Sequence, residues 1–472
     1  MNQQLPGAAI LKYEEDIVRT IRELIAIPSV RGEPAPGKPF GEEVDRALHY
    51  MLSLGEKLGF RTRNVDGYAG HVEFGEGDDY IGVLVHLDVV PAGDGWTVDP
   101  FGGVVRDGLI IGRGAGDDKG PAVVALYALA ALRDVVGTPE TKVRVIFGTD
   151  EENGMGDMDH YFAKEPLPKY GFTPDASYPI IHAEKEFFVL RLREEAGGGS
   201  AGVGGSGGAR WRISGGQAPN VVPDRCVFEV ELSVVDAERL LRAADAHPDL
   251  SAETADGRLR LAMRGKVGHG SYPPSGVNAI AKMLEFLAAE LPEVLAESKL
   301  LSFVHERIGH EAFGESLGIA VEDPKHGKLT NNFAMLEAGG GAVPNAVLNV
   351  RVPVTSDGAA MLRTLRALCA SLGIAVDVEE HLPPLYVPED HPLIVKLGKA
   401  YEAVMNEPIR LLSIGGGTYA RKLGNRGVAF GPGFPGRNHG PGAHQPDETV
   451  SIADLMLHGQ ICTQAMYELQ KK

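Results

Sequence analysis

The chain has 472 residues, beyond the size at which a single hydrophobic core usually stops growing, so at least two domains are expected. Its composition, 43% hydrophobic and 23% charged, is that of an ordinary globular protein, and its formal net charge of −18 disfavours a nucleic-acid partner because phosphates would be repelled. No stretch approaches the ~20 apolar residues of a membrane helix, so we expect no membrane partner.

The first third of the chain alternates predicted helices and strands. Helical spacing of apolar residues predicts helices over 11–27 and 42–58, and an Ala- and Leu-rich run predicts another over 121–132. Continuous apolar runs at 80–87 and 143–147 are typical of buried parallel strands. The pattern predicts an α/β domain with polar residues after its strands, where open α/β sheets bind ligands.

The middle of the chain has a different pattern. Residues 197–208 are almost all glycine, serine and alanine, which predicts a flexible loop or hairpin tip. The flanking sequence predicts further elements: strands at 188–193, 211–214, 259–264, 347–354 and 375–380, and helices at 236–246 and 278–291. A helix at 391–405 then restores the α/β pattern. We therefore predict one domain from residues 1–184 and 383–472, with residues 185–382 inserted as a second domain.

Four short segments are dense in residue types that bind metals, and a fifth candidate stands alone. These candidates are His86 and Asp88, Asp117 and Asp118, Glu151 and Glu152, His439 and His444, and the separate Asp175. His86 can bind a metal while Asp88 accepts its other ring N–H. Asp117 can bridge two ions, and the two adjacent glutamates can divide into a ligand and a general base. Imidazole and carboxylate ligands suit Zn²⁺, and also Mn²⁺ or Co²⁺.

Each segment also has an ordinary structural explanation. A His-x-Asp at a strand end is often structural, Asp117 and Asp118 could cap a helix, and adjacent glutamates often begin a solvated helix. Their joint occurrence, each after an apolar strand or a glycine-rich turn, favours a metal site. On composition alone, either His439 or His444 could be the second histidine ligand.

Eight segments carry a resemblance to a known family. In chain order they are HLDVVPAGDGW, GRGAGDDKGP, TDEENG, TPDASYP, GHGSYPPSGVNA, NVRVP, IGGGTYARK and AHQPDE. The chain resembles the di-zinc superfamily of aminoacylases, carboxypeptidase G and desuccinylases over essentially its whole length, and within it the PepV-type bacterial dipeptidases. The resemblance implies a zinc-peptidase-like catalytic domain, with a mixed central sheet flanked by helices, and an inserted α+β lid domain.

The resemblance also implies a ligand set for two Zn²⁺ ions. One ion would take His86, Asp117 and Asp175, and the other Asp117, Glu152 and His444, so that Asp117 bridges them. The peptide bond after Asp117 would be cis. The general base acting on the metal-bridging water would be Glu151, and Asp88 would support His86.

In the lid, the resemblance implies residues that bind the substrate. His269 would stabilise the oxyanion. Asn220, Arg351 and the glycine-rich run that contains Gly416 and Thr418 would hold the terminal carboxylate of the substrate.

The expected function is therefore hydrolysis of dipeptides that carry a free carboxyl terminus. The alternative is an N-acyl amino acid deacylase or desuccinylase with the same metals. A binding protein without turnover is disfavoured, because it would not need Glu151. Three distant cysteines and an N-terminus without a secretory signal predict a cytoplasmic protein, and the long insert predicts a monomer.

Overall fold

The structure, a computed structural model, describes residues 5–195, 210–232, 235–437 and 439–472. The predicted flexible segment 197–208 lies outside the described residues. The chain divides into two compact units, which we call unit 1 and unit 2. Unit 1 comprises Met1–Ala183, Leu385–Leu412 and Gly417–Lys472, and unit 2 comprises Glu184–Pro384 and Ser413–Gly416.

The first part of the chain supplies most of the elements of unit 1. Its helices are α1 (Glu14–Ile25), α2 (Glu42–Lys57), α3 (Lys119–Val136) and α4 (Gly156–Lys164), with 3₁₀ turns at Pro6–Tyr13 and Glu151–Asn153. Its strands are β1 (Arg61–Val65), β2 (Ala69–Phe74), β3 (Tyr80–His86), β4 (Val104–Arg106), β5 (Leu109–Ile111), β6 (Lys142–Gly148), β7 (Tyr170–Thr173), β8 (Ala176–Ser177) and β9 (Ile180–Glu184).

The middle of the chain forms the elements of unit 2. Its strands are β10 (Glu186–Glu194), β11 (Trp211–Gly215), β12 (Val221–Val222), β13 (Arg225–Glu231), β14 (Leu250–Ala255), β15 (Arg258–Arg264), β16 (Gly268–His269), β17 (Glu322–Asp323), β18 (Gly327–Lys328), β19 (Thr330–Gly339), β20 (Ala342–Val352) and β21 (Ile374–Leu382). Its helices are α5 (Ala237–Asp245), α6 (Ala279–Glu290), α7 (Pro292–Ala296), α8 (Lys299–Arg307) and α9 (Gly358–Ala370), with a 3₁₀ turn at Pro273–Ser275.

The last part of the chain belongs to unit 1 except for Ser413–Gly416. Its elements are β22 (Leu385–Tyr386), α10 (Pro392–Met405), β23 (Leu411–Ile414), a 3₁₀ turn at Tyr419–Leu423, β24 (Gly427–Ala429), β25 (Pro432–Gly433), β26 (Thr449–Ser451) and α11 (Ile452–Gln470). Strand β23 therefore ends in unit 2.

The main sheet of unit 1 is mixed. Eight of its strands follow the order β1-β2-β6-β3-β7-β24-β9-β22, in which β6, β3, β7 and β24 are parallel and form the centre. Every residue of β3 and of β6 is buried, because helices cover a parallel sheet on both faces. Helix α3 is buried from Lys119 to Leu132 and packs against α11 in the same core.

The main sheet of unit 2 is antiparallel. Its order is β14-β15-β13-β11-β19-β20-β10-β21, and buried residues alternate with partly buried ones along β15 and β13. Helices α6 and α8 pack on this sheet in a core that is separate from that of unit 1. Asn278 caps α6 by accepting hydrogen bonds from two backbone N–H groups.

The predicted elements of the first third are present within one or two residues at most ends. The helix predicted over 11–27 differs, since it begins as a 3₁₀ turn and becomes α-helical only at Glu14. The three cysteines are free and buried, as expected from their spacing. Among the described residues, no helix combines the length and the apolar character that crossing a membrane requires.

Candidate active site

Three of the predicted metal-binding segments follow parallel strands that are neighbours in unit 1. His86 is the last residue of β3, Glu151 and Glu152 come shortly after the end of β6, and Asp175 follows β7. Because these three strands are parallel neighbours, their carboxyl ends meet at one edge of the sheet. The topology therefore brings the three segments together.

Asp117 and His444 reach the same edge from loops. Asp117 precedes α3, and its peptide bond to Asp118 is cis, as the resemblance implies. His444 lies between β25 and β26 and has a φ of 64°, a backbone region that residues other than glycine seldom occupy.

The carboxylate of Asp117 lies between the two histidines. Its Oδ1 is 2.9 Å from Nε2 of His86, and its Oδ2 is 3.1 Å from Nε2 of His444. The same His444 nitrogen is 3.1 Å from Oε1 of Glu152, and Nε2 of His86 is 4.0 Å from Oδ2 of Asp175. One carboxylate with a histidine at each oxygen is the arrangement that a bridging ligand needs.

The donor atoms are close enough to share ions. The ligand atoms of His86, Asp117 and Glu152 all lie within 4.8 Å of one another, and so do those of His86, Glu151 and Asp175. Two donors bound to one zinc ion lie at most about 4.2 Å apart, since Zn–N and Zn–O distances are about 2.1 Å. The pairwise contacts of 2.9 to 4.0 Å in this cluster meet that limit. The residues present therefore fit divalent metal ions.

Hydrogen bonding sets the charge state of the two histidines. Burial alone would lower the pKa of His86, but its hydrogen bond to the Asp117 carboxylate and the nearby carboxylate of Asp88 raise that pKa well above its ordinary value. Bonds to Asp117 and Glu152 raise the pKa of His444 to about 10. A bound cation would replace these protons, because a metal takes the neutral imidazole.

The carboxylates at the site repel one another. Burial and the nearby charge of Asp175 raise the pKa of Glu151 well above its ordinary value. The same two causes raise the pKa of Asp118, whose Oδ1 is buried without a hydrogen-bond partner among the described residues. This concentration of negative charge favours a multivalent cation.

A buried glutamate holds the loop that carries Asp117. Strands β26 and β5 are paired, which sets Glu448 against this loop. The Glu448 carboxylate accepts hydrogen bonds from the backbone N–H groups of Gly114, Gly116 and Asp117, at 3.2, 2.9 and 3.2 Å. Arg113 donates to the same carboxylate at 2.7 Å. The position of Asp117 therefore depends on Glu448.

Two aspartates hold the turn that follows β6. The carboxylate of Asp88 accepts the backbone N–H groups of Glu151 and Glu152, at 3.2 and 3.1 Å. The carboxylate of Asp157 accepts the N–H of Thr149 at 2.6 Å and the hydroxyl of Tyr419. These bonds fix the backbone on which the two glutamates stand.

The contact between His86 and Asp88 differs from the expected one. Nδ1 of His86 lies 2.9 Å from the backbone carbonyl oxygen of Asp88 and 3.5 Å from its carboxylate Oδ1. The carbonyl is therefore the nearer partner of the ring, because the carboxylate is engaged by the backbone of the glutamates.

The geometry distinguishes the two histidines that composition left open. Nε2 of His439 lies 2.8 Å from Oδ2 of Asp454, in helix α11, whereas His444 faces Asp117 and Glu152. Thr418 is also in unit 1, where its buried hydroxyl accepts the N–H of Ala420 at 3.2 Å.

The other predicted substrate-binding residues lie in unit 2. His269 pairs with Val221 between β16 and β12, and the backbone carbonyl of Asn220 accepts the N–H of Gly270 at 2.6 Å. His269 and Asn220 are therefore neighbours.

Arg351 is buried in β20, and three of its contacts join it to other residues of unit 2. It donates from Nε to Oδ1 of Asn349 at 3.0 Å and from Nη1 to the backbone oxygen of Gly415, beside Gly416. Its guanidinium carbon lies 4.5 Å from the centre of the Phe187 ring. The guanidinium is thus held on three sides.

Sequence reasoning missed the residues that support the site. Glu448, Arg113, Asp157 and Tyr419 touch loops that carry site residues. Glu448 and Arg113 lie inside two of the motifs, AHQPDE and GRGAGDDKGP, so asking what each motif residue bonds could have found them. Tyr419 lies inside a third motif, IGGGTYARK, and could have been found in the same way. Asp157 carried no such signal, because its contact with Tyr419 joins residues far apart in the chain.

Fold and site together define a class of protein: an α/β protein whose imidazole and carboxylate groups could hold divalent metal ions at the carboxyl edge of a mixed sheet. Residues 82–468 match the family described as Peptidase family M20/M25/M40, and the chain belongs to this family. It is a hydrolase that acts on peptide bonds, in a family that depends on metals.

Two relatives are similar over their whole length. The Bacillus subtilis protein named "Putative dipeptidase YtjP" is 40% identical over 98% of this chain and 99% of its own. The Staphylococcus saprophyticus protein named "Putative dipeptidase SSP1012" is 33% identical over 98% of each chain.

Two solved structures share the fold at low sequence identity. The crystal structure of human carnosine dipeptidase 1 aligns with a TM-score of 0.58 and 15% identity, over 98% of each chain. The dipeptidase Dug1p of Saccharomyces cerevisiae aligns with a TM-score of 0.57 and 12% identity, over 99% of this chain and 98% of its own. The predicted fold class, an α/β catalytic domain with an inserted α+β domain, is confirmed.

Proposed function

We propose that this protein hydrolyses dipeptides that carry a free carboxyl terminus, using two Zn²⁺ ions, with Mn²⁺ or Co²⁺ as possible replacements. The observation that carries the proposal is the position of Asp117, whose two carboxylate oxygens each face a histidine. One ion would be held by His86, Asp117 and Asp175, and the other by Asp117, Glu152 and His444. When bound, such ions lower the pKa of water and polarise the scissile carbonyl.

Glu151 is the proposed general base. It stands beside the ligand Glu152, and its backbone N–H donates to the carboxylate of Asp88. Its carboxylate would take a proton from the attacking water and then deliver that proton to the leaving amine. Asp88 supports this step because it fixes the backbone of both glutamates.

The resemblance supports roles for residues of unit 2 in binding the substrate. We propose that His269 donates to the oxyanion of the tetrahedral intermediate. Arg351 would bind the terminal carboxylate, with Asn220 and the backbone of Gly416 and Thr418. Because Arg351 would bind the terminal carboxylate, the enzyme would select substrates that have one residue after the scissile bond. In this role unit 2 is a lid domain.

The names of the relatives favour dipeptides over other amides. "Putative dipeptidase" is the name of both curated relatives described above, and the two aligned structures are dipeptidases. We place the enzyme in the cytoplasm, which is consistent with its three free, buried cysteines. We propose a monomer because of the long insert.

The test is the variant Glu151→Gln. This change keeps the size of the side chain and removes its basicity. With metal content unchanged, kcat on an Ala-Ala-type dipeptide should fall by roughly 10²–10⁴, the usual contribution of a general base. The exposed Glu33 provides a matched control, since Glu33→Gln removes a carboxylate of unit 1 outside the site.

N-acetyl and N-succinyl amino acids belong in the same assay. Faster hydrolysis of these amides than of dipeptides would replace the proposal with a deacylase. Near-normal turnover of Glu151→Gln on dipeptides would instead remove Glu151 from its role.

A further inference from the structure

Unit 2 contains a cavity whose lining is cationic. Its volume is about 690 Å³, large enough for a small ligand, and three lysines and a histidine line it: Lys185, Lys325, Lys328 and His326. Among the described residues that line it, none is an aspartate or a glutamate. The chain has a net charge of −18, so the sign of the charge along this lining is opposite to that of the whole protein.

The cavity adjoins the proposed anchor for the substrate carboxylate. Gly415 and Gly416 form part of its wall, and Arg351 donates a hydrogen bond to the backbone oxygen of Gly415. Thr330, also in the wall, is the direct neighbour of Arg351 across the pair of β19 and β20. A ligand carboxylate held by Arg351 and Gly416 therefore has this cavity beside it.

Contacts within the fold position Lys185 and Lys328 at the cavity. Lys185 is buried in the connection between β9 and β10, and its ammonium group donates to the backbone oxygen of Lys328. Both burial and repulsion by Arg351 lower the pKa of Lys185. The ammonium group of Lys328 lies 3.8 Å from the carboxylate of the exposed Glu322, a weak contact, and 5.1 Å from the centre of the Phe313 ring in the same cavity wall.

The cavity and Arg351 together present more positive charges than are needed to bind the terminal carboxylate of a substrate. Arg351 alone can bind a carboxylate with two parallel hydrogen bonds. Arg351 repels Lys185, and a second negative charge that enters the cavity is attracted by both groups and by Lys328. The ligand that fits best has one carboxylate for Arg351 and another for the lysines.

From this geometry we infer that the cavity receives the side chain of the substrate's C-terminal residue and selects an acidic one, aspartate or glutamate. The inference rests on the proposed dipeptidase function, in which Arg351 holds the terminal carboxylate. It assigns Lys185, Lys325 and Lys328 to side-chain recognition.

The experiment compares Ala-Glu with Ala-Gln on the metal-loaded protein. These dipeptides have side chains of nearly equal size and differ in charge. We expect kcat/KM to be at least about tenfold higher for Ala-Glu, the lower end of the effect of a hydrogen bond between charged groups. The preference should shrink as salt is added, because the cavity is open to solvent.

Two variants test the assigned residues. Lys185→Met and Lys328→Met should each reduce the Ala-Glu to Ala-Gln ratio by about tenfold. Because Lys185 is buried, the exposed Lys328 keeps the test available if Lys185→Met does not fold. Lys299→Met is the matched control, since it removes an exposed positive charge of unit 2 that does not line the cavity.

The possible outcomes distinguish a failure of this inference from a failure of the proposed dipeptidase function. A wild-type ratio near one, with good hydrolysis of both dipeptides, overturns the inference and leaves the function standing. An equal loss on both dipeptides in the lysine variants also overturns it, because the lysines would then bind the terminal carboxylate.

If no dipeptide is hydrolysed, the proposed function fails and a binding measurement decides the inference. Calorimetry should then show at least about tenfold tighter binding of L-glutamate than of L-glutamine, lost in Lys328→Met. Equal affinities would overturn the inference.

Discussion

The two units of this protein build their polar sites in opposite ways. Unit 1 collects carboxylates and imidazoles where parallel strands end, whereas unit 2 collects lysines in a cavity beside an antiparallel sheet. In unit 1 the convergence follows from topology, because parallel neighbours deliver their carboxyl ends to one edge. In unit 2, Arg351 projects from one face of a strand and is held by contacts across that face. The cluster in unit 1 is therefore rich in carboxylates, whereas the cavity in unit 2 is lined by cationic side chains.

The largest effect that this comparison predicts concerns the unit 1 site. Asp117→Ala removes the one carboxylate that faces both histidines, so both ions should be lost together. Turnover should fall by at least about 10³-fold, more than the 10- to 100-fold typical when a residue supporting a metal ligand is lost. Metal analysis by mass spectrometry, beside a dipeptide assay, checks both effects. Retention of one full equivalent of metal would contradict the bridging role.

The next effect belongs to unit 2. Arg351→Ala should lower kcat/KM on dipeptides by about 10²-fold, because a charge-assisted pair of hydrogen bonds to the substrate is lost. Metal content should not change, since Arg351 belongs to unit 2 and the candidate metal ligands belong to unit 1. Arg351→Lys keeps the charge without the planar fork and should recover only part of the loss. Unchanged kinetics in Arg351→Ala would show that the carboxyl terminus is bound elsewhere.

Much of unit 1 was predictable from local sequence. Strands β3 and β6 are continuous apolar runs followed by polar motifs, so both their burial and the position of their ends could be predicted. Glu448 was not recognised, because its role depends on the pairing of β26 with β5, which joins residues more than 300 positions apart. Such a long-range pairing leaves no periodic pattern of apolar residues in the local sequence.

Unit 2 was less predictable. Its cavity takes Lys185, the loop around Lys328 and the segment at Gly415 from three distant parts of the chain. Each lysine by itself has the pattern of a solvated surface residue, and only the fold shows that they share one cavity. The motif that contains Arg351 was recognisable through its resemblance, but the bond to Gly415 required the structure.

A smaller effect concerns the support of the unit 1 site. Glu448→Gln keeps the shape of the side chain but weakens its bonds to three backbone N–H groups and to Arg113. Metal affinity should fall by about 10- to 100-fold, as for other residues that hold ligands in place. Titration with zinc, compared with the Glu33→Gln control, measures the change. Unaltered affinity would show that the loop holds Asp117 without this carboxylate.

The smallest effect concerns the core of unit 1. Burial lowers the pKa of His458 to about 3, and Nδ1 of its neutral ring lies 2.8 Å from the hydroxyl of Tyr178. The unfolded chain binds this proton below about pH 6.5, but the folded chain only below about 3. Stability should therefore fall as pH drops through this window, by up to about 1.4 kcal/mol per unit.

Urea unfolding at pH 7 and pH 5 checks this effect. The wild type should lose about 2 kcal/mol from His458 over the 1.5 units below pH 6.5, and His458→Leu should show a correspondingly smaller loss. Equal losses in the two proteins would remove His458 as the cause.

The central claim, that two ions flank Asp117, is open to one direct measurement. Anomalous diffraction at the zinc edge, from crystals grown with Zn²⁺, should show two peaks about 3.5–4 Å apart. One should lie between Asp117 and His86, and the other between Asp117 and His444. A single peak, or peaks away from the Asp117 carboxylate, would contradict the account.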